Sequence, residues 1–309
     1  MEVKELWHGR YDGNAREDLR LWQVIKVFTA YGRGMGACFV GYDTDEGIKR
    51  NKGRGGANLG PNAIRSAMQS LPNVEGLHIW DYLNLANKKT EEAQEEYAEK
   101  IAMILKAEMF PIGLGGGHDI AFGSYLGIRK AYPNAKIGIV NVDTHLDMRD
   151  YSNGRNSGTS FKEIMDLDAN VLYANVGFKP QGNTERLILE AKKHNALLLP
   201  ERLGEEHILN CLADYAQKVD LLYVTFCMDV FDACDAPGVS APTIMGLAPK
   251  SGMNILQGIL AMNKVACVDF AEVSPPYDED GRTAKLAGLL AYEVLKYVAK
   301  MNINQEKAV

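Results

Sequence analysis

What the chain lacks narrows its function before any motif is weighed. No uninterrupted apolar segment approaches the ~20 residues a membrane-spanning helix needs. The N-terminal stretch MEVKELWHGRYDG has no apolar core of the kind a secretory signal carries. Lysine and arginine form no continuous stripe; the one basic cluster, Lys49 to Arg54, is short and glycine-rich, and the net charge is −6. Neither a nucleic-acid nor a membrane partner is expected. Cysteine is sparse, with five residues and no C-x-x-C pair. An odd number of unpatterned cysteines fits free thiols in a reducing cytoplasm better than a disulfide framework. A bridge between Cys227 and Cys234 is conceivable, since they are seven residues apart. No G-x-S-x-G elbow for a serine nucleophile appears. The glycines before His118 lack the following Lys-Ser/Thr of a phosphate loop. Gly32, Gly34 and Gly36 loosely match a dinucleotide fingerprint, but they precede a strand instead of following one. With no linker, repeat or low-complexity segment, one domain over residues 1–309 is expected.

What is present is an apolar fraction of 46%, enough at this length for a sizeable core. Apolar runs of strand length begin at Ala37, His78, Phe110, Lys136, Val171, Ala196, Leu221 and Val265. Amphipathic stretches alternate with them, among them Thr90 to about Met109, with Thr90 as its cap, and Arg282–Met301. This order predicts a three-layer α/β/α architecture around a mostly parallel central sheet. Sites in such sheets gather beyond the carboxyl ends of the strands. Four ends carry ligating or acidic residues. They are His118-Asp119, the triplet Asp143, His145 and Asp147, the pair Asp229 and Asp232, and Glu272.

The triplet is the sharpest of these signals. In an extended backbone, residues i, i+2 and i+4 share a face, so Asp143, His145 and Asp147 are expected to project together. Two carboxylates and an imidazole side by side are costly to bury unless a cation neutralises them. Oxygen ligands with one imidazole suit Mn, Fe, Co or Zn. The competing expectation is a strand-end loop with its acids turned to solvent.

Gly116-Gly117-His118, Val142-Asp143-Thr144-His145-Leu146-Asp147, Met228-Asp229-Val230 and Ala271-Glu272-Val273 together resemble the signature blocks of the arginase/agmatinase ureohydrolase superfamily. Trp7-x-Gly9-Arg10-x-Asp12, Asn51-Lys52-Gly53-Arg54-x-Gly56, Ser157-Gly158-Thr159-x-Phe161 and Ala236-Pro237-Gly238-Val239-Ser240-Ala241-Pro242 resemble its formimidoylglutamase branch. The resemblance implies an arginase-like fold and a binuclear Mn²⁺ site. It also implies hydrolysis of N-formimino-L-glutamate to L-glutamate and formamide in histidine degradation. The first metal would be held by His118, Asp143 and Asp147, and the second by His145, Asp143 and Asp229. Asp147 and Glu272 would be catalytic, the first managing a proton and the second pairing with the cationic nitrogen. Arg149, Ser157 and Arg54 would bind the substrate carboxylates. Phe161 stands where arginases and agmatinases carry a proton-shuttling histidine. The superfamily often forms oligomers, so a homo-oligomer is a possible state.

One position departs from the superfamily pattern. The superfamily reads D-x-D at the end of the strand beginning at Leu221, both aspartates binding metal. Here the block is Thr225-Phe226-Cys227-Met228-Asp229, which puts Cys227 on the first aspartate. A thiolate is a soft ligand, poorly matched to Mn²⁺. Cys227 therefore implies either one firm and one weak metal, or a preference for a softer metal. It is also compatible with a plain sequence variant, or with a relative that kept the fold and lost the chemistry. Asp232 falls off the alternating face and is expected to shape the loop. Hydrolysis of another carboxylate-bearing guanidino or amidine compound is the remaining enzymatic reading.

Overall fold

The computed structural model describes residues 3–29 and 36–306; Gly32 and Gly34 lie outside the described residues. Among the described residues nine strands form one sheet, and all eight pairings are parallel. In chain order they are β1 (Lys26–Val27), β2 (Gly36–Tyr42), β3 (His78–Asn84), β4 (Phe110–Gly115), β5 (Ile137–Val142), β6 (Leu172–Val176), β7 (Leu197–Leu199), β8 (Leu221–Cys227) and β9 (Val265–Ala271). Across the sheet the order is β1-β3-β2-β4-β9-β8-β5-β6-β7. The four central strands β4, β9, β8 and β5 carry the four candidate blocks, so blocks remote in sequence become neighbours.

Period-two alternation divides the core. Phe39 packs into one apolar cluster, while its neighbours Cys38 and Val40 face the other. Helices Gly60–Met68, Glu205–Ala216, Pro249–Leu260 and Arg282–Glu306 cover the Phe39 face. Helices Thr90–Lys106, Ile120–Ala131, Ser160–Leu167 and Glu185–Lys193 cover the opposite face. The result is the expected three-layer α/β/α architecture, buried on both sides as parallel sheets are.

Local details differ from the sequence expectations for identifiable reasons. A helix with no counterpart among the sequence expectations, Ser160–Leu167, sends Phe161 and Ile164 into the core. Thr90 does not cap its helix. It is the first helical residue, and its amide donates to the distant Glu46 carboxylate at 2.6 Å. The closing helix runs beyond Met301 to Glu306. The Trp7 block serves the fold: the Trp7 indole donates to Asp81 at 2.6 Å, and Arg65 clasps the same carboxylate at 2.7 and 2.9 Å. Arg65 and Asp81 are fully buried, so this pair is compensated by two parallel bonds and the indole.

Candidate metal centre

The triplet lies past the end of β5, but it is not extended. The chain bends at Asp143–His145, and Asp147 has a positive φ of 45°. The expectation that one alternating face presents all three side chains is therefore corrected. The His145 amide donates to its neighbour Asp143 Oδ1 at 2.7 Å, a local turn that competes with the strand ladder. Three side chains fix the bend. Asn175 donates to the His145 carbonyl at 2.8 Å, the Tyr173 hydroxyl donates to the Leu146 carbonyl at 3.1 Å, and Asn183 both accepts from the Leu146 amide at 3.0 Å and donates to the Thr144 carbonyl at 2.9 Å.

The bend splits the triplet between two neighbouring groups. His118 Nδ1 lies 2.9 Å from Asp143 Oδ2 and 3.1 Å from Asp147 Oδ2. His145 Nδ1 lies 3.5 Å from Asp143 Oδ1 and 3.2 Å from Asp229 Oδ2. Ligand atoms of His118, Asp143 and Cys227 fall within 4.8 Å of one another, as do those of Asp143, His145 and Asp229. Asp143 belongs to both triads and offers one oxygen to each histidine.

Electrostatics make this cluster expensive without a cation. Burial raises the Asp229 carboxyl to about 6, helped by the nearby Asp143 charge. Burial, then Asp229, pushes Glu272 well above the usual carboxylate range. Burial opposes charging His145, but Asp229 and Asp143 outweigh it and push it up to about 12. The Cys227 thiol is raised well above its ordinary value by burial, with Asp143 adding to the effect. His118 Nδ1, Asp143 Oδ2, Asp229 Oδ1 and Glu272 Oε2 are buried and find no hydrogen-bond partner among the described residues. Buried polar atoms are seldom left so, and four gathered in one cluster fit divalent cations. Nitrogen, carboxylate oxygen and one sulfur make a donor set for a transition metal.

A second layer orients His118. Its Nε2 lies 3.0 Å from Thr225 Oγ1, and the Thr225 hydroxyl donates to Asp269. Asp269 is fully buried and also accepts from Ser124 at 2.7 Å and Tyr223 at 2.6 Å. With its proton committed to Asp269, the Thr225 oxygen can only accept, so Nε2 carries the imidazole proton. Nδ1, 2.9 Å from Asp143 and 3.1 Å from Asp147, is then the nitrogen that would ligate a cation in place of its proton. Phe161 packs edge-on against the His118 ring, with 5.6 Å between centroids. Glu272 Oε1 accepts the His118 amide at 3.0 Å, and Glu272 itself has φ +73°. Gly116 is required beneath it, because a Cβ there would overlap the Thr44 carbonyl oxygen.

A cavity of about 320 Å³ opens onto the cluster. Arg149, Ser157 and Arg54 all line it, and so do Asn51 and Lys52, which sequence reasoning passed over as site residues. Among the described residues the Arg149 guanidinium and the Lys52 ammonium make no ion pair. Arg54 is engaged differently. It donates to the carbonyls of Val239 at 2.6 Å and Ser240 at 3.2 Å and stacks on Tyr277. Ser157 accepts from Asn51 at 3.2 Å.

Other candidates stay outside the cluster. Asp119 is buried beneath the Tyr42 hydroxyl at 2.5 Å. Asp232 shapes its loop by accepting the Cys234 and Gly246 amides. Cys227 and Cys234 are both free thiols, one buried and one exposed, so the conceivable bridge between them is not formed. A third group, Asp166, Glu190 and His194, lies nearer the surface with the Lys162 ammonium already between its carboxylates at 2.8 and 3.0 Å. No described helix is long and apolar enough to cross a membrane.

Comparison with known proteins bears on this geometry. Residues 36–296 match the model of the arginase family. Formimidoylglutamases from Geobacillus thermodenitrificans and Lysinibacillus sphaericus are each 37% identical, with 96% of both chains covered. The structure of Trypanosoma cruzi formiminoglutamase with Mn²⁺ superposes with a TM-score of 0.81 at 25% identity, covering 91% of this chain and 98% of the other. Formimidoylglutamase from Bacillus subtilis has the same fold, with a TM-score of 0.84 over 94% of this chain and 95% of that one.

Proposed function

Because the chain belongs to the arginase family, we propose that it hydrolyses N-formimino-L-glutamate to L-glutamate and formamide, a step of histidine breakdown. Support comes from relatives named for that activity and from one feature of the pocket: a cation without an ion-pair partner, Arg149, beside two donor triads that share Asp143. The relative from T. cruzi carries Mn²⁺, and a pair of divalent cations is the proposed cofactor.

His118, Asp143, Asp147 and Cys227 would hold one cation, and His145, Asp143 and Asp229 the other. Bound there, they supply Lewis acidity and hydroxide at neutral pH. The remaining roles fall to the chain. The substrate is a dicarboxylate carrying an amidinium-like carbon. Arg149 offers a planar fork to a carboxylate, and Lys52 offers a point charge to the other. Ser157, positioned by Asn51, contributes a hydroxyl at the same wall. Arg54 pins the Val239–Ser240 loop over the pocket and leaves carboxylate pairing to its neighbours. Glu272 keeps Oε1 on the His118 amide and turns its unpartnered Oε2 to the cationic nitrogen. That pairing fixes the imino carbon for attack, and the glutamate nitrogen leaves with the proton taken from the attacking water. Asp147 is more open than Asp143, with 14% of its side chain exposed against 0%, and takes the proton of the attacking water. Phe161 leaves no histidine at its position to share that task.

The test is turnover of metal-loaded protein on formiminoglutamate and on an ω-guanidino acid of matched length, with formamide and urea as separate readouts. Faster urea release than formamide release would replace this reading with that of a guanidino-acid hydrolase.

A further inference from the structure

We infer that Cys227 is a metal ligand, and that it makes the two halves of the centre chemically unlike. The His118–Asp143–Cys227 half takes a softer divalent cation such as Co²⁺ or Zn²⁺, and the His145–Asp143–Asp229 half a harder one. The inference rests on the proposal that this cluster holds two cations.

Three observations carry it. Cys227 is the last residue of β8, paired in register with Ala271 of β9 just past the last β5 pairing at Phe226, so the sheet fixes its Cα. Its sulfur lies within 4.8 Å of ligand atoms of His118 and Asp143, all three residues are buried, and Cys227 lines the cavity. Two buried atoms of the same triad's residues, His118 Nδ1 and Asp143 Oδ2, lie 2.9 Å from each other and find no hydrogen-bond partner outside the cluster. The donors are thus nitrogen, oxygen and sulfur in one half and nitrogen with two carboxylates in the other. Thiolate favours Zn²⁺ and Co²⁺ over Mn²⁺, and the ordinary order of divalent affinities runs the same way. As the sulfur–metal bond forms, the thiol proton leaves to solvent and the thiolate's charge is neutralised by the cation.

The division of labour is set by Asp143. One oxygen faces His118 and the other His145, so both halves can fill together only if Asp143 bridges them. Asp147, also beside His118 Nδ1, gives the sulfur half a further oxygen donor.

The experiment loads metal-free, reduced protein with Co²⁺ and records absorption and metal content. Wild type should show a near-ultraviolet sulfur-to-cobalt charge-transfer band that saturates with a single Co²⁺ per chain. Cys227→Ser and Cys227→Asp should bind Co²⁺ without that band. Cys227→Asp should shift the Mn²⁺-to-Co²⁺ affinity ratio of one site at least about 10-fold toward Mn²⁺. In wild type alone, Co²⁺ should protect Cys227 from alkylation, read by peptide mass, while Cys234 stays reactive; this arm needs no variant to fold. Two bound Co²⁺ per chain with no charge-transfer band and no protection would overturn the role of Cys227 and leave the metal-hydrolase reading standing. Failure of both wild type and Cys227→Asp to retain any metal would overturn the two together.

Discussion

His118 Nε2 sits 3.0 Å from Thr225 Oγ1, and the Thr225 proton is committed to Asp269. This relay orients the ring from behind and keeps a proton on Nε2, so Nδ1 faces Asp143 and Asp147 and would be the nitrogen that ligates a cation. Outer-layer partners of this kind are worth roughly 10–100-fold in metal affinity. Thr225→Val keeps the side-chain volume and removes the acceptor. It should weaken one metal site by about that factor while the other is unchanged, as read by competition with a chromophoric chelator. Equal affinities in wild type and variant would refute the relay.

Arg149 is the pocket cation best shaped for a carboxylate. A hydrogen bond to a charged group contributes about 1.5–3 kcal/mol, or roughly 10–100-fold in binding. Arg149→Ala should lower kcat/KM on formiminoglutamate by that factor, mostly through KM. Arg149→Lys should recover only part, because an ammonium cannot form the two-bond fork. Turnover of a formamidine lacking carboxylates should be nearly the same in all three proteins; a parallel loss there would mean that Arg149 acts on the centre itself.

The same residues show where sequence reading succeeds and where it stops. Strand ends are legible because apolar runs and helical periods are local. That alone placed His118, Asp143, Asp229 and Glu272 just past the ends of strands of one sheet, and the observed order makes β4, β9, β8 and β5 adjacent. The bend at Asp143–His145 was not legible. It depends on Asn175, Tyr173 and Asn183, which reach it only in the folded chain. Asn183, 36 residues past Asp147, gave no local signal of its role. Asn51 and Lys52 could have been found, since they lie in a block that already stood out beside Arg54. The Trp7 block stood out as strongly, yet it supports the fold through Asp81 and not the site.

That support should be measurable. Asp81 accepts from the Trp7 indole and from Nε and Nη2 of Arg65, all buried, and is the one carboxylate paired with that guanidinium, whose Nη1 turns to Asn84. Asp81→Ala would leave an uncompensated guanidinium in the core, which costs about 3–5 kcal/mol. Trp7→Phe keeps the ion pair and loses one hydrogen bond, with an expected cost of about 1–3 kcal/mol. Urea denaturation should rank wild type above Trp7→Phe and Trp7→Phe above Asp81→Ala. A reversed order of the two variants would show that indole packing, not the carboxylate, holds the N-terminal segment.

Glu272 offers the cleanest separation of binding from chemistry. Its backbone is held at φ +73° just past β9, its amide donates to the Gly116 carbonyl at 2.8 Å, and its Oε1 accepts from the His118 amide. Such a position is strained for a residue with a side chain and persists because its surroundings over-determine it. The remaining oxygen, Oε2, is buried and unpartnered, aimed at no protein donor among the described residues. Glu272→Gln preserves size and the bond to His118 but removes the charge that would face the amidinium-like carbon. Losing one preorganised electrostatic contact of this kind costs roughly 10²–10³ in kcat. The expected variant therefore keeps the wild-type metal content and thermal midpoint while turnover falls by about that factor. Loss of a metal from Glu272→Gln would instead make Glu272 a ligand, and unchanged turnover would remove it from the chemistry.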